Sequence, residues 1–546
     1  MTIHRIRVLW AVAFITAFLA GMIPAGDLEP PARHQLAPLP ADFIAFQQAD
    51  PPQSVSRDGW PLGLIPLPID LSHLTGQQIF QDRAKMAPPA SYDLRTQGRL
   101  TPIRNQTPCG TCWAFSTLAC LESALLPGET WDFSENNIKN TAGFDPDGCT
   151  GGGNHLMALA YLVRWSGPVA EADDPYNPLS SYSPPGLLPR KHIQDAILMP
   201  DRSGPLDNAN IKQAVMDIGG VYTSMYWSDA AFNPATDAYY ASDKAVSNHA
   251  VTIVGWNDSY SRNNFATVPP GDGAFIIRNS WGTAFGDNGY FYISYYDANV
   301  GTSLCVYTGI DAVTNYTGCY QYDPLGATQM LGYGSTSGWA ANIFTATASE
   351  KLAAVSFYAL SAGTTYDVYV YTDVGATPTS GTEAAHLQGT MANPGYFTLA
   401  LPSLISLTSG SKFSVVVRIT TPGYTFPLAI ESPAAGYSSA ATANAGESFT
   451  STTGTTWWDI TDTRPNTNVC IKAFTTPNDT PPPDEASLIA GHVASDATWW
   501  TRLTVVNTGL VTTDVDFVAF NESGALVETW TLRNLAPNAL FTCDVS

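Results

Sequence analysis

Short apolar runs rich in β-branched residues mark the middle of the chain. The clearest are residues 249–254, which open on His249, and residues 274–277, which lead into Arg278 and Asn279. Runs of this length without helical spacing predict strands buried on both faces. Upstream, the stretch around Cys109-Gly110-Thr111-Cys112 predicts the start of a helix at Cys112. Beyond about Asp311 the rhythm changes to strand-like runs at 351–360, 365–372 and 412–420, separated by turns rich in Gly, Ser and Thr. In one of them Tyr366, Val368 and Val370 alternate with Asp367, Tyr369 and Tyr371, the pattern of a half-buried strand. No long helical pattern interrupts them, so an all-β sandwich is expected over residues 312–474. Residues 475–485 read as a Pro-rich, semi-rigid linker. Residues 486–546 hold further strand patterns at 501–507 and 513–520, from which a small β-module is expected, whether whole or incomplete.

The candidate chemistry sits on the predicted helix and strands. A cysteine at a helix N-terminus is biased toward thiolate. Gln106, six residues before Cys112, carries an amide able to donate to an oxyanion. His249 at a strand mouth is the base that suits this thiol, and Asn279 can accept from its ring and fix the tautomer. Trp281 would cover that bond from water. His155 reads as a rim residue of the same cleft. The blander readings of Cys109-Gly-Thr-Cys112, a redox dithiol or half a zinc site, lack a second ligand pair and a thioredoxin-like context.

These residues resemble the papain family of cysteine peptidases. Cys112 and His249 lie 137 positions apart, inside the window for papain-like enzymes. The resemblance runs from about Ala87 to about Gly309. It takes in Ala90-Ser91-Tyr92-Asp93, Gly148-Cys149-Thr150-Gly151-Gly152, Asp174-Pro175-Tyr176 and Gly286-Asp287-Asn288-Gly289-Tyr290. It implies an α+β, two-lobed peptidase over residues 87–311, with Cys112, His249, Asn279 and Gln106 catalytic. It further implies a Cys109–Cys149 disulfide and substrate backbone bound by Gly151 and Gly152. Ala250 and the segment Gly220-Val221-Tyr222 would line an S2 pocket suited to an apolar or aromatic side chain, with Trp281 beside the cleft. The expected partners are polypeptide substrates, and neither a cofactor nor a metal is required. Three departures stand out: Phe285 where the family usually has tryptophan, no cysteines for a second disulfide near Asn140, and a glycine stretch that continues through Gly153.

Composition narrows the setting. The formal charge of −22 excludes nucleic acid and anionic membranes as natural partners. His4, Arg5 and Arg7 precede an uncharged apolar run from Val8 to about Ala25, which predicts export through a signal peptide over residues 1–25 or, alternatively, an exported membrane anchor. Residues 26–86 are then a linker or a short propeptide lying in the cleft. Export permits disulfides. Cys319 and Cys470 flank the β-domain and are candidates to clasp it, and Cys120 fits a buried free thiol. The β-domain resembles the lectin-like domains attached to some prokaryotic papain-like peptidases, and Trp457 and Trp458 are candidate platforms for a carbohydrate or cell-surface ligand. The whole reads as a secreted cysteine endopeptidase; the alternative is a non-catalytic adhesion protein on a peptidase fold.

Overall fold

The computed structural model describes residues 34–48, 55–80 and 87–478, together with the strands at 501–506, 513–520, 526–535 and 540–545. The leader at 1–25 and most of the 475–485 linker lie outside the described residues. Residues 1–480 and 481–546 form two compact units. In the second, Thr501–Val506 pairs antiparallel with Leu540–Val545, and Thr513–Phe520 with Leu526–Leu535. Among the described residues no helix is long and apolar enough to cross a membrane.

Within the first unit, the helix Cys112–Leu125 is buried along nearly its whole length, which its small and apolar residues permit. It packs against the strand His249–Asn257, the first of the two buried runs expected from sequence. That strand is flanked antiparallel by Val221–Met225 and Ala274–Arg278. The sheet continues through Thr302–Asp311 on one side and Tyr290–Ser294 on the other. Helices Glu135–Thr141 and His155–Val163 complete the opposite lobe.

The β-domain is a sandwich. A six-stranded sheet that includes Thr364–Thr372, Lys412–Thr420 and Ser337–Thr345 turns Val368, Val370, Val415 and Val417 inward. They meet Leu352, Val355 and Phe357 of the facing sheet. Asp367, Tyr369 and Tyr371 alternate to the outer face, as the sequence pattern requires.

Peptidase and β-domain are not beads on a string. Gly395 and Tyr396, on the strand Gly395–Leu407, pair antiparallel with Ile197 and Ala196 on His192–Met199, fusing the two sheets into one. The join needs glycine: a Cβ at Gly395 (φ +155°) would stand 2.0 Å from the Ala196 carbonyl oxygen. One apolar cluster runs through both parts and contains Leu118, Cys305, Tyr358, Tyr396 and Tyr437. The change of rhythm near Asp311 is therefore a boundary in sequence and not a hinge.

The expected Cys319–Cys470 clasp is absent; both remain free, as do Cys120 and Cys305. Cys319 faces Phe474 across the sheet, four positions beyond Cys470, so the strand register carries the two thiols past each other.

Candidate active site

Cys112 is the first residue of its helix and fully buried. Its Sγ accepts the Ala250 N–H at 3.4 Å, which places the thiol beside the mouth of the His249 strand. His249 Nε2 donates to Asn279 Oδ1 at 2.9 Å. The same oxygen accepts the Ser280 N–H, which fixes the orientation of the amide and hence the imidazole tautomer. Nδ1 is left as a buried lone pair with no hydrogen-bond partner, the atom a thiol proton requires. Trp281 stacks on the His249 ring, centroids 4.6 Å apart, and Phe285 meets Trp281 edge-on at 4.8 Å. Phe285 thus keeps the aromatic cover despite the departure noted above.

Gln106 is held in place from both ends of its amide. Ser280 Oγ donates to Oε1 at 2.6 Å, so Nε2 points the other way, toward the Cys109 carbonyl at 2.7 Å and the cleft. Its backbone N–H bonds to Ser280 O. Tyr176, in a loop that the sequence pattern marked without giving it a role, ties this region together. Its hydroxyl donates to Gln106 O at 2.7 Å and meets Thr111 Oγ1 at 3.0 Å. Cys109 and Cys149 form a disulfide that links the nucleophile loop to the glycine loop.

The cleft is filled by the chain itself. Residues 61–66 cross it, with the Gly63 and Leu64 N–H groups bonded to Asn248 O. Gly153 donates to Gly63 O and accepts from the Ile65 N–H, so Leu64 lies parallel to Gly153. Gly63 presses so closely on the nucleophile loop that a Cβ there would stand 1.9 Å from Gly110 O. The Gly63 N–H bears on the thiol and opposes the rise that burial imposes. Pro61 O accepts from Trp281 Nε1 at 3.0 Å and lies 3.4 Å from Gln106 Nε2, and Trp60 stacks on Trp281 at 5.0 Å. Burial under this cover pushes the Cys112 thiol up to about 12, opposed by the Ala250, Trp113 and Gly63 N–H groups. Burial likewise lowers His249 to about 4, against the Asn279 hydrogen bond. Burial therefore favours the neutral form of both groups in this closed state.

In this closed state Gly153 makes the backbone pairing to the chain's own segment. Gly152 approaches Gly63 closely, whereas Gly151 packs against Asp147. Tyr222 belongs to the cluster that contains Cys112, Leu64 and Ala250, while Val221 turns to the core of the other lobe. His155 is buried rather than exposed on the rim. It lines a cavity of about 230 Å³ beside the cleft, shared with Leu64, Leu67, Asp70, Ser224 and Lys244. Burial alone lowers His155 to about 3, and its Nδ1 has no partner.

With this geometry in hand, likeness to known proteins is specific. The papain family cysteine protease model matches residues 88–310, and a lectin-like domain model matches residues 319–475. Cysteine proteinase 2 of Entamoeba histolytica is 30% identical over 209 residues, which cover 37% of this chain and 62% of that protein. The chain thus spans about three-fifths of the length of such curated relatives. The crystal structure of the cysteine protease and lectin-like domains of Cwp84, a surface layer associated protein of Clostridium difficile, is 27% identical with a TM-score of 0.68. It covers 81% of this chain and 98% of that one. The structure of clostridial Cwp84 after propeptide cleavage is 30% identical, with a TM-score of 0.62, and covers 71% of this chain and 99% of that one. The chain belongs to the papain family of cysteine proteases, with a lectin-like domain joined behind the protease domain.

Proposed function

We propose that this chain is the latent precursor of an exported cysteine endopeptidase, in which residues 55–80 are the inhibitory part of a prosegment. The observation that carries the reading is the bare Nδ1 of His249, with Nε2–H committed to Asn279 and the N–H of the next residue, Ala250, bonded to the Cys112 thiol. Once the cleft is vacated and water enters, the desolvation that keeps both groups neutral falls away. His249 then takes the Cys112 proton, giving a thiolate stabilised by the helix N-terminus. The thiolate attacks a peptide carbonyl whose oxygen lies between Gln106 Nε2 and the Cys112 N–H. His249 protonates the leaving amine, and water hydrolyses the thioester. Endopeptidase action is supported by the cleft itself, since a continuous chain enters and leaves it at both ends.

The related Cwp84 is described as surface layer associated and as undergoing propeptide cleavage. By analogy we assign the β-domain to surface or carbohydrate attachment. Trp457 and Trp458 are half-buried, and Trp457 Nε1 donates to Thr379. That assignment rests on the lectin-like match.

The test is hydrolysis of a fluorogenic peptide with an apolar P2 residue by the processed protein and by Cys112→Ala, under mild reductant. Turnover lost in the variant supports the reading. A folded, processed, reduced protein with no turnover on this peptide or a broad library would move the weight to a binding protein.

A further inference from the structure

The segment upstream of the cleft is anchored at a second place, on the lectin-like domain. Gln35 and Leu36 add an antiparallel strand to Gln329–Gly332, in register with Gly332 and Leu331, and Ala37 N–H donates to Met330 O at 2.9 Å. His34 fixes the start of this strand, its ring nitrogens meeting Thr463, Tyr333 and Thr450 within 3.2 Å. The helix Ala41–Gln48 follows and buries Phe43 completely, edge-on to Tyr437 at 5.3 Å. Gln47 Nε2 bonds to Ala435 O.

This surface is continuous with the catalytic cleft. Tyr437 donates to Asn154 Oδ1 at 3.2 Å, and Asn154 caps the helix next to Gly153, the residue that pairs with chain in the cleft. Pro40 and Asp42 line the same cavity as Leu67, Ile69 and Asp70, where the inhibitory segment leaves the cleft. The segment runs parallel to Gly153. A chain bound in the opposite sense would send its residues upstream of the scissile bond along that same path, toward the Phe43 slot.

We propose that, once the prosegment is gone, the Gln329–Gly332 edge and the Tyr437 slot bind polypeptide substrate upstream of the scissile bond. The site takes an extended stretch by strand addition together with one aromatic side chain. Strand addition reads main chain and is therefore tolerant of sequence, while the slot asks for a single ring. Vacating the edge exposes unpaired backbone groups, which favours a replacement strand. This rests on the prosegment reading above.

The test uses processed enzyme, shown by mass to lack residues 34–48, and a synthetic peptide spanning residues 34–48. The peptide should raise KM for a long unfolded substrate, reduced carboxymethylated casein, with kcat unchanged. It should leave hydrolysis of a short fluorogenic peptide untouched. A peptide carrying Phe43→Ala should act about tenfold more weakly. Inhibition of both substrates would place the peptide in the cleft and overturn the proposal. So would binding without an effect on casein, which would leave the surface a prosegment anchor only, or no binding at all. Enzyme that degrades casein with residues 34–48 still attached would refute both the vacated surface and the prosegment reading. Failure with short-peptide activity intact refutes the docking surface alone.

Discussion

Leu64 lies parallel to Gly153, and the preceding residue, Gly63, meets the nucleophile loop with no room for a side chain. The pairing holds a peptide in the cleft with the Gly63 N–H bearing on the Cys112 thiol. On the prosegment reading proposed above, this close fit is what inhibits the enzyme.

It follows that Gly63→Ala should break latency. The added methyl would collide with backbone at Gly110, which cannot move aside as a flexible side chain can. The precursor variant should hydrolyse a fluorogenic peptide without the lag of the parent and should process faster. An unchanged lag in a folded variant would show that the tight fit does not govern inhibition.

Gln106→Ala should lower kcat by about 10²–10³ with little change in KM, since the lost donor acts on charge formed in the transition state. Steady-state kinetics on processed enzyme checks this. A drop confined to KM would remove Gln106 from the oxyanion site and leave it a loop brace through Ser280 and Cys109.

The candidate site was legible because each of its members sits in a compact local pattern: Gln106 with Cys112, His249 opening a strand, Asn279 closing one. What was not legible depends on phase or on distant partners. Val221–Met225 is buried throughout, so alternation could not say whether Val221 or Tyr222 faces the cleft. Three consecutive glycines hide which one enters the ladder. That choice is made by Asp147, whose side chain accepts the Cys149 and Thr150 N–H groups and coils the loop so that Gly153 arrives opposite Leu64. The pairing of Gly395 with Ile197 joins strands nearly two hundred residues apart and leaves no local trace beyond the glycine.

His155 makes acid sensitivity predictable in sign. Its folded value, about 3, lies below the ordinary 6.5, so the unfolded chain binds the proton more readily. The stability this confers is complete above pH 6.5 and is lost as pH falls from there toward 3. His155→Leu should flatten that limb, by on the order of a few kcal/mol at its acid end. Urea unfolding at pH 7 and pH 4 measures the difference, and an equal acid loss in both proteins would refute the assignment.

Lys472 and Asp323 form an ion pair 2.8 Å apart, each side chain 1% exposed, in the lectin-like domain. Lys472 Nζ also donates to the Asp323 carbonyl, so the ammonium serves both charge and backbone. Burial raises the Asp323 carboxyl despite this partner, because desolvation outweighs the attraction of Lys472. Lys472→Met should therefore cost about 3–5 kcal/mol at pH 7 by leaving an uncompensated buried charge. The loss should shrink on acidification, as a carboxyl raised in the folded state destabilises it only once pH exceeds its unfolded value. Adding Asp323→Leu should recover most of the stability, since two apolar residues of similar volume commonly replace a buried pair without penalty. Denaturant midpoints of the parent and the two variants at pH 7 and pH 4 decide it. A double variant no more stable than Lys472→Met would show that the pair's hydrogen bonds, rather than its charges, hold this part of the domain.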